Sequence, residues 1–120
     1  MIRVVRLGSR RARGEGLRLG TVRRPPRGVR KADCARRNYY DLWLPGLAPS
    51  ARLIGQKNWR RFAAAYRREM RAPAAQRLLE LLARLSHHAD FAVGCYCERE
   101  DRCHRSILRK LLAEHGARLA

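Results

Sequence analysis

Residues 91–97 read Phe-Ala-Val-Gly-Cys-Tyr-Cys, seven consecutive positions without a charge. A run of that length and apolarity suits a strand covered on both faces, as in a parallel sheet; half-exposed antiparallel strands alternate instead. A parallel strand needs a crossover to reach its neighbour, so the chain must supply helices around it. It does, on both sides. Upstream, Asn58 can cap a helix whose apolar positions are Trp59, Phe62, Ala63, Tyr66 and Met70, spaced i, i+3, i+4, i+7 and i+11. Pro73 ends that pattern and suits the first turn of a second helix carrying Ala75, Leu78, Leu79, Leu82 and Leu85. Downstream, Ile107, Leu108, Leu111 and Leu112 give a third helix that stops at Gly116. These aromatic and aliphatic positions are read as core, and no ligand is assigned to them.

The N-terminal part predicts two more strands, Ile2–Leu7 and Leu17–Val22, with Gly20 marking a bulge or a close backbone approach. Residues 8–16 and 23–56 read largely as loop, punctuated by Pro25-Pro26, Pro45-Gly46 and Pro49-Ser50. A long irregular segment in a small domain is usually functional or mobile. The final Ala-Arg-Leu-Ala could start an edge strand. The expected architecture is a single α/β domain over residues 1–120, a small layered fold with a mainly parallel sheet flanked by helices.

Directly after the apolar run comes the chemistry. CYCEREDRCHRS, residues 95–106, holds three of the four cysteines and one of the four histidines. Cys95 and Cys97 are two apart and share one face of a strand. Asp101 is a suitable N-cap, which would place Arg102, Cys103 and His104 in the first helical turn. In open α/β sheets ligands gather beyond the carboxyl ends of strands, where helix N-termini favour an anion or a thiolate. Arg105 and Ser106 add donors.

Three readings of that stretch compete. A zinc site needs three or four converging ligands, whereas C-x-C is tighter than the usual knuckle and adjacent Cys103 and His104 side chains diverge on a helix. Cys34 stands alone and His87-His88 sits at a helix end, so no metal is expected. For a thiol enzyme, Cys97-Glu-Arg-Glu-Asp-Arg102 is a Cys-x4-Arg arrangement, the form used by rhodanese-type sulfurtransferases. Such a loop wraps N–H groups around the sulfur and lowers its pKa, although three of the four intervening residues here are acidic. Alternatively, Cys95 and Cys97 are small buried hydrophobes. His104, with an ordinary pKa near neutrality, could act as general acid or base, or simply cap the helix. Cys103 is expected to be the most reactive thiol of the three.

Charge adds a second theme. Lys and Arg number 28 against 10 acidic residues, a formal +18, of which residues 1–40 hold +11 and residues 41–120 hold +7. An electropositive surface attracts nucleic acid or another polyanion, and such binding is salt-dependent. Arg makes up 25 of the 28, as a GC-rich genome would also produce. No run approaches the eighteen apolar residues of a membrane span, and MIRVVRLGSRRARG lacks a signal-peptide apolar core. A cytoplasmic address is expected, with thiols reduced and no disulfide framework.

The segments YDLWLPGLAPSARL (40–53), WRRFAAAYRREM (59–70) and CYCEREDRCHRSILRKLL (95–112), with RRPPRGVRK (23–31) upstream, resemble the bacterial domain-of-unknown-function family 488. The resemblance covers most of residues 20–115. It implies a small α/β layered domain and brings no reaction with it. Cys103, His104 and Arg105 match that family's Cys-His-Arg directly and Cys97-Glu98 matches loosely. Trp43, Leu47, Ala48, Pro49 and Ser50 match its shorter members, and RRPP departs from their acidic residue and Trp.

Together these place a polar site at the carboxyl ends of the second strand and of the 91–97 strand. Cys103, His104 and Cys97 are the catalytic candidates. Arg102, Arg105, Ser106, Arg27, Arg30, Trp43 and Ser50 are the ligand-binding candidates, with Arg23 and Arg24 in the same Arg-rich wall. The expected partner is an anionic small molecule or phosphate, with thiol chemistry as an option. The alternative is a nucleic-acid-binding module that uses the Arg-rich face without catalysis. No cofactor is indicated.

Overall fold

A computed structural model describes residues 1–120. Four strands form one parallel sheet: β1 (Ile2–Arg6), β2 (Leu17–Gly20), β3 (Leu42–Trp43) and β4 (Phe91–Cys95), in the order β1-β4-β2-β3. The apolar run is the central strand, buried throughout and paired on both sides. It ends at Cys95, so Tyr96 and Cys97 already belong to the turn. Four helices follow the loops: α1 (Ala51–Ile54), α2 (Trp59–Glu69), α3 (Pro73–Leu85) and α4 (His104–Glu114). The fold is α/β with a parallel sheet.

Helix placement follows local chemistry. The Asn58 side chain accepts from the Arg61 N–H and starts α2, and Pro73 opens α3. Gly116, at φ +85°, follows α4 in the left-handed conformation that glycine adopts without penalty. The main core joins Ile2, Leu19, Phe91 and Val93 of the sheet to Leu53, Tyr66, Met70, Leu79, Leu82, Leu108 and Leu112 of the helices. Leu85 differs from expectation: it lies in the last turn of α3 and is 43% exposed.

Segment 23–56 is more structured than its sequence suggests. Leu42 and Trp43 pair in parallel with Leu19 and Gly20, adding an edge strand too short to show periodicity. Gly20 marks a close approach and no bulge: a Cβ there would stand 2.3 Å from the Tyr40 ring. At the C-terminus Leu119 bridges to Ile2 in parallel, a single bridge beside β1. No helix is long and apolar enough to cross a membrane.

Candidate functional site

β4 lies between β1 and β2, so the carboxyl ends of β2 and β4 are neighbours and open toward the start of α4. A cavity of about 720 Å³ occupies that position. Its floor is Cys95, Cys103 and His104, with Cys97 beside them. Its lining is part apolar, with Ile54, Trp59 and Phe62, and part basic, with Arg23, Arg24, Arg27 and Arg102.

The turn from strand to helix differs from the expected one. Glu100–Arg102 form a 3-10 turn, and α4 starts at His104 with Cys103 as its extended N-cap (φ −125°, ψ 152°). Asp101 is not the cap; it pairs with Arg99 at 2.7 Å in solvent. Two contacts displace the cap: the Cys103 N–H donates to the Glu100 carbonyl, and Arg109 of α4 grips Glu100 with two 2.9 Å bonds. Because Cys103 is extended rather than helical, its side chain and that of His104 converge, with Sγ and Nδ1 3.7 Å apart. The expected divergence therefore does not occur. Cys95 and Cys97 share a side as expected, with sulfurs 3.7 Å apart.

The imidazole is fixed. His104 Nε2 faces the Thr21 carbonyl at 2.7 Å, and a carbonyl only accepts, so Nε2 carries the hydrogen. In the neutral ring Nδ1 is then an acceptor aimed at the Cys103 sulfur. Thr21 is itself held by its hydroxyl, which donates to the Gly94 carbonyl at 2.9 Å. Tyr66 packs edge-on against the imidazole, with centroids 5.3 Å apart. Hydrogen bonds from the Cys95 thiol, then the Cys97 thiol, hold the Cys103 thiol well below its ordinary value; burial opposes this and His104 adds to it. The same coupling to Cys103 pushes Cys95 and Cys97 upward. These hydrogen bonds thus favour ionisation at Cys103 over its two neighbours, at the helix N-cap where the dipole also favours an anion.

Arg105 is buried at 3% exposure. Its Nη2 donates to the Cys97 carbonyl at 2.6 Å, its Nε has no partner, and no carboxylate pairs with it. Ser106 is turned back on the helix start, its hydroxyl donating to the Cys103 carbonyl. Arg27 and Arg102 line the cavity; Arg30 does not, and pairs with Asp33 in solvent. Trp43 donates from Nε1 to the Val22 carbonyl and stands outside the lining. Ser50 caps α1 and binds Glu69, tying α1 to α2. Arg23 lines the cavity, but its Nε and Nη2 donate to the carbonyls of Pro45, Ala48 and Pro49. Cys34 is buried in one apolar cluster with Cys95 and Cys103, away from the lining.

Sequence reasoning missed Thr21, Trp59 and Phe62. Thr21 acts through its carbonyl, which any residue would supply, so no signal marked it. Trp59 and Phe62 sit on a helical apolar face that reads as core, yet both are only partly buried and form the cavity wall.

The fold and site define an α/β protein with a buried Cys-His cluster beyond the carboxyl ends of its central strands. The chain belongs to the DUF488-N3a family, described as the active DUF488-N3 subclade, whose model matches residues 2–116. No curated protein and no solved structure matches the chain significantly.

Proposed function

We propose that this chain is a thiol-dependent enzyme acting on an anionic substrate, with Cys103 as nucleophile and His104 as its proton partner. The observation that carries this reading is Arg105. A guanidinium sealed from water without a carboxylate is costly, and the ionisable group on which its charge acts is the neighbouring Cys97 thiol, whose anion it favours. The buried cation thus stabilises negative charge at the thiol cluster. The basic lining extends the same field outward: Arg24, Arg27, Lys57 and Arg102 line the cavity and make no ion pair or side-chain hydrogen bond within the chain. Trp59 and Phe62 in the same lining suit an apolar or planar body, so the preferred substrate is amphipathic, with an anionic group at one end. Membership of a subclade described as active agrees with a working site.

The chemistry is group transfer to sulfur. The Cys103 proton passes to His104 Nδ1, and the sulfur bonds to the electrophilic atom of the substrate. The bond to the leaving group breaks, and the leaving group takes the proton back.

Peptide-resolved labelling of the reduced protein with iodoacetamide tests this. Cys103 should react faster than Cys95, and inorganic phosphate or sulfate should slow Cys103 selectively. Arg27→Ala combined with Arg102→Ala should abolish that protection. Rates indifferent to phosphate and sulfate, or Cys95 reacting first, would remove the reading. The +18 charge favours a second one, in which the anion belongs to a nucleic acid. Protection by a short duplex, but by neither small anion, would select it.

A further inference from the structure

We propose that Cys95, Cys103 and His104 also form a site for a thiophilic cation such as Zn2+, which Cys97 closes by turning its side chain inward and which caps the thiol cluster when bound. The donor atoms of Cys95, Cys103 and His104 all lie within 4.8 Å of one another, and all three residues are buried. Ligands about 2.3 Å from a tetrahedral zinc stand roughly 3.7 Å apart when both are sulfur, and slightly closer when one is nitrogen. Cys95 and Cys97 sulfurs are 3.7 Å apart, and Cys103 Sγ and His104 Nδ1 are also 3.7 Å apart. The three buried donors are therefore gathered for one ion, while Cys97, outside that group but 3.7 Å from the Cys95 sulfur in an exposed turn, completes the set by a side-chain rotation.

Two further observations point the same way. A metal-binding histidine usually donates its other ring nitrogen to a carbonyl, which fixes the ring. His104 Nε2 does this to Thr21, leaving Nδ1 free to ligate. Three thiolates around a divalent ion leave one net negative charge, and Arg105 lies buried beside Cys97 with no carboxylate of its own. Four protein ligands leave no open position, which is the character of a structural or capping site rather than a catalytic one. The occupied site has no free thiolate, so metal and alkylating agent compete.

This inference does not depend on the enzyme reading: the cation needs the donors to converge, whereas the chemistry needs one of them free. Co2+ titration of the reduced full-length protein is the test. A sulfur-to-cobalt charge-transfer absorption should saturate at one ion per chain and vanish on addition of Zn2+. Cys97→Ser, at an exposed position and so harmless to folding, should weaken Co2+ binding by at least the roughly 10-fold that loss of an outer-shell partner costs. Cys34→Ser should leave both affinity and spectrum unchanged. In a second measurement, Zn2+ should slow alkylation of Cys97 and Cys103 together. Failure to bind Co2+, binding without the charge-transfer absorption, or identical binding by Cys97→Ser would overturn the site. Phosphate protection of Cys103, measured in the presence of a chelator, is unaffected by any of these results, so either proposal can fail alone.

Discussion

Arg18 donates from Nε to Glu15 Oε2 over 2.6 Å, with both side chains sealed from solvent at 0% and 2% exposure. Nη2 reaches the other Glu15 oxygen and the Ser9 hydroxyl as well, and the guanidinium also donates to the carbonyls of Ser9, Arg10 and Asn38. One arginine on β2 thus closes two loops over the sheet.

Removing its partner should be severe at neutral pH and mild in acid. Burial raises the Glu15 pKa, but the Arg18 hydrogen bonds, the Ala12 N–H and the charges of Arg18 and Arg11 together outweigh it and hold the carboxyl below its ordinary 4.5. A depressed carboxyl contributes stability in full above its unfolded pKa, and that contribution fades as pH falls through the folded value. Glu15→Gln is therefore expected to lose about 3–5 kcal/mol at pH 7, the usual cost of orphaning a buried ion. The gap between variant and parent should narrow below pH 4.5. Urea unfolding at neutral and acid pH measures it, and a gap independent of pH would contradict the assignment.

Gly20→Ala should destabilise by about 1–3 kcal/mol, the range for an overpacked site, because its Cβ would stand 2.3 Å from the Tyr40 ring. Adding Tyr40→Ala should make the glycine substitution nearly neutral in that background. Coupling in a double-mutant cycle checks this; additive effects would mean the backbone, and not the ring, sets the requirement.

Those two residues show what could be read in advance and what could not. Gly20 was visible as a glycine inside a strand pattern, and its meaning as a close approach follows from having no Cβ. The three main strands and the longer helices were likewise legible, because seven uncharged residues or a 3-4 spacing leave few alternatives. Arg18 was not, since nothing in Leu-Arg-Leu-Gly tells a buried arginine from a solvated one. β3 escaped because two residues have no period. For the candidate site, the clustering of Cys95–Ser106 beyond the strand ends followed from topology, while the shift of the cap from Asp101 to Cys103 came from Arg109 gripping Glu100 from nine residues away. That shift alone turns Cys103 toward His104.

Association with nucleic acid should be electrostatic. Fifty to two hundred millimolar salt should weaken duplex binding by roughly 10³–10⁵ if six to ten phosphates are contacted, with little dependence on sequence. Filter binding across that salt range measures the slope. Tight binding that survives high salt and follows base identity would contradict it.

The last prediction separates a functional Arg105 from a structural one. If the guanidinium only ties the turn to α4, Arg105→Met loses the 2.6 Å bond to the Cys97 carbonyl, costs about 1–3 kcal/mol for the unsatisfied group, and leaves the thiols unchanged. If instead it balances a thiolate, the lost bond is offset by relief from burying an uncompensated cation, and apolar replacements of buried charges are often neutral or better. Stability should then change little, while alkylation of Cys103 near neutral pH slows by about tenfold, the effect of one pKa unit. The expected result is the second: a urea midpoint close to the parent's with a depressed labelling rate that recovers as pH rises. A lowered midpoint with an unchanged rate would assign Arg105 to the scaffold and remove the main support for charge at the cluster.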